Sequence, residues 1–327
     1  MALQFRTARI PLDQIDLDDT TCVLDPTPDA PPPPALIESV SRIGILHPPI
    51  LQGKNPSSYR VVAGRKRLRA LSSCCSVCDC LLLAANTPPQ EVLAVALEET
   101  RISRRPTPVE LAIFFKKCQR WLDDEQLAAR FLPSLRLAAN AYQLRRLLDL
   151  LKLEEPLLLA LHEGRLEEGV ARELLEIPFA DRMSLFDLID VLSLSVGNQK
   201  KLVTGCRELS RRQDTSVGNI LADPALRAIL HNEASNPPQK ATQLMAWLTD
   251  QRLPRLREAE KNFRRFCGKL DLLPGMTLRP AQSFEKDSLA LTIDFADRDQ
   301  LAARWQALRA ALDNHGHPDD GKFPSGN

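Results

Sequence analysis

The chain is 327 residues long, more than one ordinary core and suited to two or three modest domains. Its 43 lysines and arginines stand against 42 aspartates and glutamates, a formal net charge of +1, so nucleic acid cannot be drawn by the field of the whole molecule and only local clusters are left for that role. No apolar run approaches the roughly 20 residues of a membrane span, Met1-Ala2-Leu3-Gln4 opens no secretory signal, and a soluble cytoplasmic protein with reduced thiols is expected.

In chain order, Ile10-Pro11-Leu12-Asp13-Gln14-Ile15 alternates like a short strand and its exit. From Asp25 to Pro34 there are six prolines, which exclude helix and central strand and predict an extended, exposed loop. Leu36, Ile37, Val40 and Ile43 recur at helical spacing, and Gly44 stands where a left-handed cap would end a helix over 35–43. Pro49-Ile50-Leu51 and Tyr59-Arg60-Val61-Val62-Ala63 read as a hairpin around a turn-rich stretch. At Gly64 the period changes, and Arg65 to Leu71 has the composition of a basic helix. Beyond it, Cys75-x-x-Cys78 has a ligand-like spacing, but no second pair or nearby histidine completes it. Cys78, Cys80 and Leu82 instead alternate onto one face of a returning strand, so no zinc is expected.

From Glu91 to about Leu175 the pattern is helical, interrupted at Pro106, Pro108, Pro133, Pro156 and Gly164. Residues 178–250 continue so, with breaks expected at Gly197-Asn198, Gly218-Asn219 and Asn236-Pro237-Pro238, and carry no readable function. A basic helix near 250–269, strand-like runs at Met276–Pro280 and Ser288–Phe295, and a helix over 298–313 follow. Leu301, Trp305, Leu308 and Leu312 share one stripe of that last helix, and the tail from Asn314 is polar and expected to fray.

Two segments point to chemistry. A helix opening at Gly64 presents free backbone N–H groups to an anion, and Arg65, Lys66 and Arg67 add full charge beside them. A solvated basic face is the competing reading of the same run. In the second segment, Asp123 or Asp124 caps a helix with apolar Leu127, Ala128 and Phe131. A break at Leu132-Pro133-Ser134 is followed by a helical stretch with Leu135, Ala138, Leu144, Leu147 and Leu148 apolar, a helix-turn-helix pattern. Residues 101–152 hold eleven basic against five acidic side chains, a local excess of six that suits DNA phosphates. Arg136, Asn140 and Gln143 are chemically suited to base edges, with Ser134, Arg145 and Arg146 beside them. Structural helices with a solvated face are the alternative. His162 is read as a surface residue near a helix end.

The order of these pieces carries a resemblance. Ile10 to Ile15, then Leu36 to Val40 leading into Gly44-Ile45-Leu46-His47-Pro48-Pro49-Ile50, then Val61-Val62-Ala63-Gly64-Arg65-Lys66-Arg67-Leu68-Arg69-Ala70, resemble the N-terminal domain of ParB-type partition proteins and its two phosphate-contacting boxes. Glu98-Glu99-Thr100 to Ala112 looks like the family's third box, and the likeness covers residues 10–175.

The resemblance implies an α+β N-terminal ParB/sulfiredoxin-like domain at 1–100 and an all-α helix-turn-helix middle at 101–178. A helical region of unknown role at 179–250, a small α+β dimerisation unit at 251–313 and a disordered tail at 314–327 complete the division. It further implies a CTP pocket formed by Gly44, His47, Gly64, Arg65, Lys66, Arg67 and Glu99, with Glu99 toward Mg²⁺. The protein would be a nucleoid-associated DNA clamp, a homodimer paired through Leu301, Trp305, Leu308 and Leu312, working with a ParA-type ATPase.

This chain departs from the family pattern in four places. A proline loop replaces the Arg-rich patch, Arg65 stands for a glutamate, Thr100 for an asparagine, and an arginine falls at Ser103. Losing a carboxylate and an amide beside phosphates argues against hydrolysis. The rivals are an adaptor or regulator that turns over no nucleotide, and an enzyme on the same fold. A sulfiredoxin would need a cysteine in the Gly64–Arg67 turn, and a free-amino-acid kinase would need a carboxylate near the phosphates.

Overall fold

The computed structural model describes residues 3–55, 57–269, 275–280 and 288–314. It divides into two compact units, 1–203 and 204–327.

The first unit opens with a five-stranded sheet formed by β1 (Phe5–Pro11), β2 (Ile15–Asp16), β3 (Ile50–Asn55), β4 (Ser58–Ala63) and β5 (Val77–Leu83), in the order β1-β5-β3-β4-β2. Three helices accompany it, α1 (Pro34–Ile43), α2 (Arg65–Leu71) and α3 (Pro89–Ser103). β3 and β4 pair antiparallel with Leu51 opposite Val61, and β5 lies parallel to β3. Alternation decides which side chains go inward: Cys78, Cys80 and Leu82 of β5 join Leu51, Val61 and Leu68 in one buried cluster. The cluster also takes Val40 from α1 and Leu71 from α2, which seats both helices on the sheet. Cys74 and Cys75 are exposed in the turn before β5.

A helical part follows, with α4 (Pro108–Cys118), α5 (Asp124–Phe131), α6 (Ala141–Asp149), α7 (Glu155–His162), α8 (Glu168–Leu175), α9 (Phe179–Val191) and α10 (Val196–Gln213). Pro108 and Pro156 sit in first turns, where a missing N–H costs nothing, so they begin helices instead of breaking them. The aromatic centre is Phe114 edge-on to Phe115 and Phe131, with centroids 5.2 and 5.0 Å apart.

The expected helix running from Leu135 is corrected. Residues 133–135 form a 3-10 turn, Arg136 takes a left-handed backbone with φ 59°, and α6 begins only at Ala141. Asn140 stops earlier helix formation because its side chain accepts from the Gln143 N–H at 2.8 Å as the N-cap. α6 is therefore nine residues long.

The second unit holds the end of α10, then α11 (Val217–Leu221), α12 (Pro224–His231), α13 (Pro237–Arg252), α14 (Pro254–Lys269), β6 (Met276–Pro280), β7 (Leu289–Ile293) and α15 (Arg298–Asn314). Gly197-Asn198 and Gly218-Asn219, expected as breaks, lie inside α10 and α11. The basic helix expected near 250–269 is divided by Leu253 and Pro254. β6 and β7 pair antiparallel with Leu278 opposite Leu291. On α15 the stripe is uneven: Leu308 is 9% exposed, Leu301 half-buried and Trp305 59% exposed. The Leu312 side chain and the tail 315–327 lie outside the described residues. No helix among the described residues is long and apolar enough to cross a membrane.

Candidate functional site

Two of the concave sites in the first unit gather the residues singled out in the sequence. One is a cavity of about 500 Å³ at the junction of β4 and α2, closed by Glu99, Thr100 and Ser103 of α3. Gly64 makes the junction possible. Its φ is +94°, and an added Cβ would meet Pro49 at 3.0 Å, so only glycine turns the strand into the helix here. Of the residues expected in this box, Gly64, Arg65, Lys66, Arg67 and Glu99 line the cavity together. Gly44 and His47 do not line it. Gly44, with φ 76°, ends α1, and His47 contributes only its carbonyl, which accepts from Arg67 Nη1 at 2.6 Å.

The cations of the cavity all have protein partners. Lys66 Nζ donates to Asp25 Oδ2 at 2.9 Å, and Arg67 Nη2 to Glu99 Oε1 at 2.6 Å. Arg65 turns away and forks onto the carbonyls of Leu17 and Asp19. Burial, with Arg69 close by, lowers the Arg65 pKa from its ordinary value. Arg104 forks onto Glu110 at 2.8 and 2.5 Å. Glu99, the expected magnesium ligand, is thus held by Arg67, and among the described residues no three histidines, cysteines or acids converge as a metal site. The side chains present suit an anion better than a metal, and no catalytic step is derived through either.

Arg65 and Lys66 find their partners in residues 17–25, ahead of and at the start of the proline loop over 25–34 that was expected to be extended and exposed. Cys22 and Leu24 are buried and 25–28 half-buried, because basic side chains pin the backbone from three sides. Lys117 Nζ reaches the carbonyls of Thr20, Thr21 and Val23 at 2.6, 3.1 and 2.7 Å. Lys54 meets Asp16 at 2.9 Å and Asp19 at 3.1 Å, and Arg69 meets the Pro28 carbonyl at 2.7 Å and Asp29 at 3.2 Å. Burial works against the Asp19 charge, but hydrogen bonds from Thr21 and Lys54 prevail and hold its pKa at about 2. Asp25 is likewise lowered, burial being outweighed by Thr27 and Lys66. The legible signal was the spacing of Asp16, Asp18, Asp19, Asp25 and Asp29 around the apolar Cys22-Val23-Leu24, with no lysine or arginine between.

The second site is a cleft of about 860 Å³ whose lining includes Arg101, Arg105, Ser134, Arg136 and Gln143. Acids from outside the stretch offset two of the six excess charges, Glu98 meeting Arg101 and Glu91 meeting Arg130, while Arg145 meets Asp124 at 3.8 Å and Lys152 meets Asp149 at 2.7 Å within it. Arg105 and Arg136, both exposed, have no ion pair among the described residues. Arg136, Gln143 and Ser134 are therefore gathered in the cleft, while Arg145 and Arg146 do not line it. Arg146 lies over the exposed Tyr142 ring at 5.7 Å. Asn140 is engaged as a helix cap and not free to fork onto a base.

His162 differs from its reading as a surface residue. Its side chain is only 15% exposed, Nδ1 lies 3.0 Å from Thr107 Oγ1, and Nε2 lies 3.8 Å from Asp25. Thr107 and Glu110 form the capping box of α4, so His162 joins the acidic segment to the start of the helical part.

No protein-family model matches the chain. A probable chromosome-partitioning protein ParB of Neisseria meningitidis (serogroup A, strain Z2491) is 26% identical over 193 residues, covering 58% of this chain and 61% of the relative. The probable chromosome 1-partitioning protein ParB of Deinococcus radiodurans is 28% identical over 168 residues, covering 51% and 56%. Both relatives are ParB partition proteins, and the chain is similar to them over residues that make up more than half of its length. It spans about three fifths of the length of the curated ParB proteins it matches.

Similar solved structures include the C-terminally truncated Caulobacter crescentus ParB in two complexes. The complex with CTP-gamma-S is 18% identical, covers 56% of this chain and 98% of that one, and has a TM-score of 0.23. The complex with the centromeric parS site is 19% identical, covers 60% and 98%, and has a TM-score of 0.34. The relationship to ParB rests on the sequence matches and not on these loose superpositions.

Proposed function

We propose that the chain is a DNA-binding protein of chromosome or plasmid partition and maintenance, whose grip on DNA is governed by a nucleotide triphosphate, CTP by family resemblance. DNA phosphates would lie against Arg105 and Arg136, with Gln143 at the base edges and Ser134 at the rim. The triphosphate would sit among Gly64, Lys66, Arg67 and Arg104, with Glu99 open to Mg²⁺ only once Arg67 releases it. Pairing through the β6–β7 and α15 elements and work with a ParA-type ATPase belong to the same reading, as does a nucleoid address. Hydrolysis is no part of it.

The observation that carries the DNA half is the pair of exposed guanidinium groups, Arg105 and Arg136, at one cleft beside the start of α6 and without an ion pair among the described residues. Both stand in the stretch 101–152, where basic side chains outnumber acidic ones by six. Filter retention of duplex DNA across a salt series tests it. Log affinity falls with log salt, and Arg136→Ala and Arg105→Ala each lower the slope by about one. A slope untouched by both variants refutes this interface. A second reading, an adaptor that binds no nucleotide, is favoured by Lys66, Arg67 and Arg104 each already meeting a carboxylate. Calorimetry with CTP and magnesium separates the two, because the adaptor gives no saturable heat.

A further inference from the structure

Residues 16–29 hold five aspartates and no basic residue. Six cations from four elements converge on this stretch: Lys54 from β3, Arg60 from β4, Arg65, Lys66 and Arg69 from α2, and Lys117 from α4. Lys54, Arg60, Lys66 and Arg69 meet carboxylates while Arg65 and Lys117 meet main-chain carbonyls, so the segment offers the basic groups what a polyphosphate would offer, a row of anionic and acceptor oxygens. It also lines the cavity, through Cys22, Leu24, Asp25 and Thr27.

We propose that residues 16–29 are an internal latch that imitates a polyphosphate, holding Arg65 and Lys66 of the cavity until an incoming polyphosphate displaces it. The inference rests on the reading of the cavity as a nucleotide pocket and names how that pocket is regulated.

Asp25 is the hinge of the exchange. It accepts from Lys66 at 2.9 Å, from the Thr27 N–H at 2.8 Å and from Thr27 Oγ1 at 2.6 Å, and it faces His162 at 3.8 Å. A ligand that takes Lys66 leaves Asp25 to His162 and Thr107 at the first turn of α4, and it loosens the carbonyls that Lys117 of α4 holds. Occupation of the cavity is thereby felt in the helical part. The latch carries its own reporter, because Cys22 is 4% exposed while the segment is closed, and burial pushes its thiol up to about 11.

The test uses the full chain with two substitutions. Asp25→Asn keeps an acceptor for Thr27 and removes the charge that holds Lys66. Lys66→Gln breaks the same contact from the ligand-binding side. Alkylation of Cys22 is followed by peptide mass spectrometry at constant pH, and tripolyphosphate and CTP with magnesium are titrated by calorimetry. Asp25→Asn binds roughly fivefold tighter than the parent, the factor a half-exposed ion pair is worth, and Cys22 reacts faster without ligand. Lys66→Gln also exposes Cys22 but binds more weakly, which simple destabilisation does not explain for both variants. Equal affinity in the parent and Asp25→Asn, or unchanged Cys22 alkylation in Asp25→Asn, overturns the latch and leaves the pocket standing. Absence of binding by both proteins removes the pocket reading and the latch with it.

Discussion

The Arg104–Glu110 pair joins the cavity to the first turn of α4, and a double-mutant cycle measures it. Glu110 is 2% exposed and makes three polar contacts: to Arg104 at 2.8 and 2.5 Å, and to the Thr107 N–H at 2.8 Å. Arg104→Ala leaves a buried carboxylate with one remaining donor. Breaking a fully buried pair costs about 3–5 kcal/mol, but the Arg104 side chain is 49% exposed, which brings the expectation down to about 2 kcal/mol. Glu110→Ala loses the same pair and half of the capping box, adding about 1 kcal/mol. The double variant loses the pair only once, so the cycle recovers about 2 kcal/mol of coupling. The assay is native-state amide exchange at Phe114 and Phe115, since a chain of two units need not unfold in one step. A coupling energy below about 0.5 kcal/mol refutes the argument that the buried carboxylate needs its guanidinium.

Three further outcomes follow from single features of the fold. Gly64→Ala, at φ +94° and 3.0 Å from Pro49, lowers stability of the first unit by about 2 kcal/mol, read from the urea midpoint; a neutral result contradicts the left-handed junction. Asn140→Ala costs about 1 kcal/mol, seen as faster amide exchange over 141–149, and Asn140→Asp restores the protection because a carboxylate caps as well. The carboxyl of Asp19 has its pKa lowered to about 2 and Asp25 is lowered as well, so each stabilises the folded state above its unfolded value near 4. That contribution is lost as pH falls from about 4 toward 2, and urea midpoints of the first unit should drop across this window, less steeply in Asp19→Asn.

An element is legible in the sequence to the extent that its signal is local. Strand β5 was legible in Cys78, Cys80 and Leu82 because a period of two depends only on which faces are wet. The Gly64 junction was legible because a change of period at a glycine is a local event. The start of α6 was misplaced, since Leu135 and Ala138 continue an apolar pattern that the Arg136 backbone and the Asn140 cap interrupt. Hydrophobic spacing reports which side chains would face a core, and it says nothing of where a cap closes the helix.

The amino-acid sequence by itself determined the resemblance to ParB, the alternation of the sheet and the segments in which positive charge accumulates, because each is a property of neighbours along the chain. Tertiary structure decided which of those charges are free. Lys66 meets Asp25 across 41 positions, Arg67 meets Glu99 across 32, and Lys117 reaches Val23 across 94, while Arg105 and Arg136 are left without a carboxylate among the described residues. Coulombic pairing depends on distance in space, and only folding sets that distance.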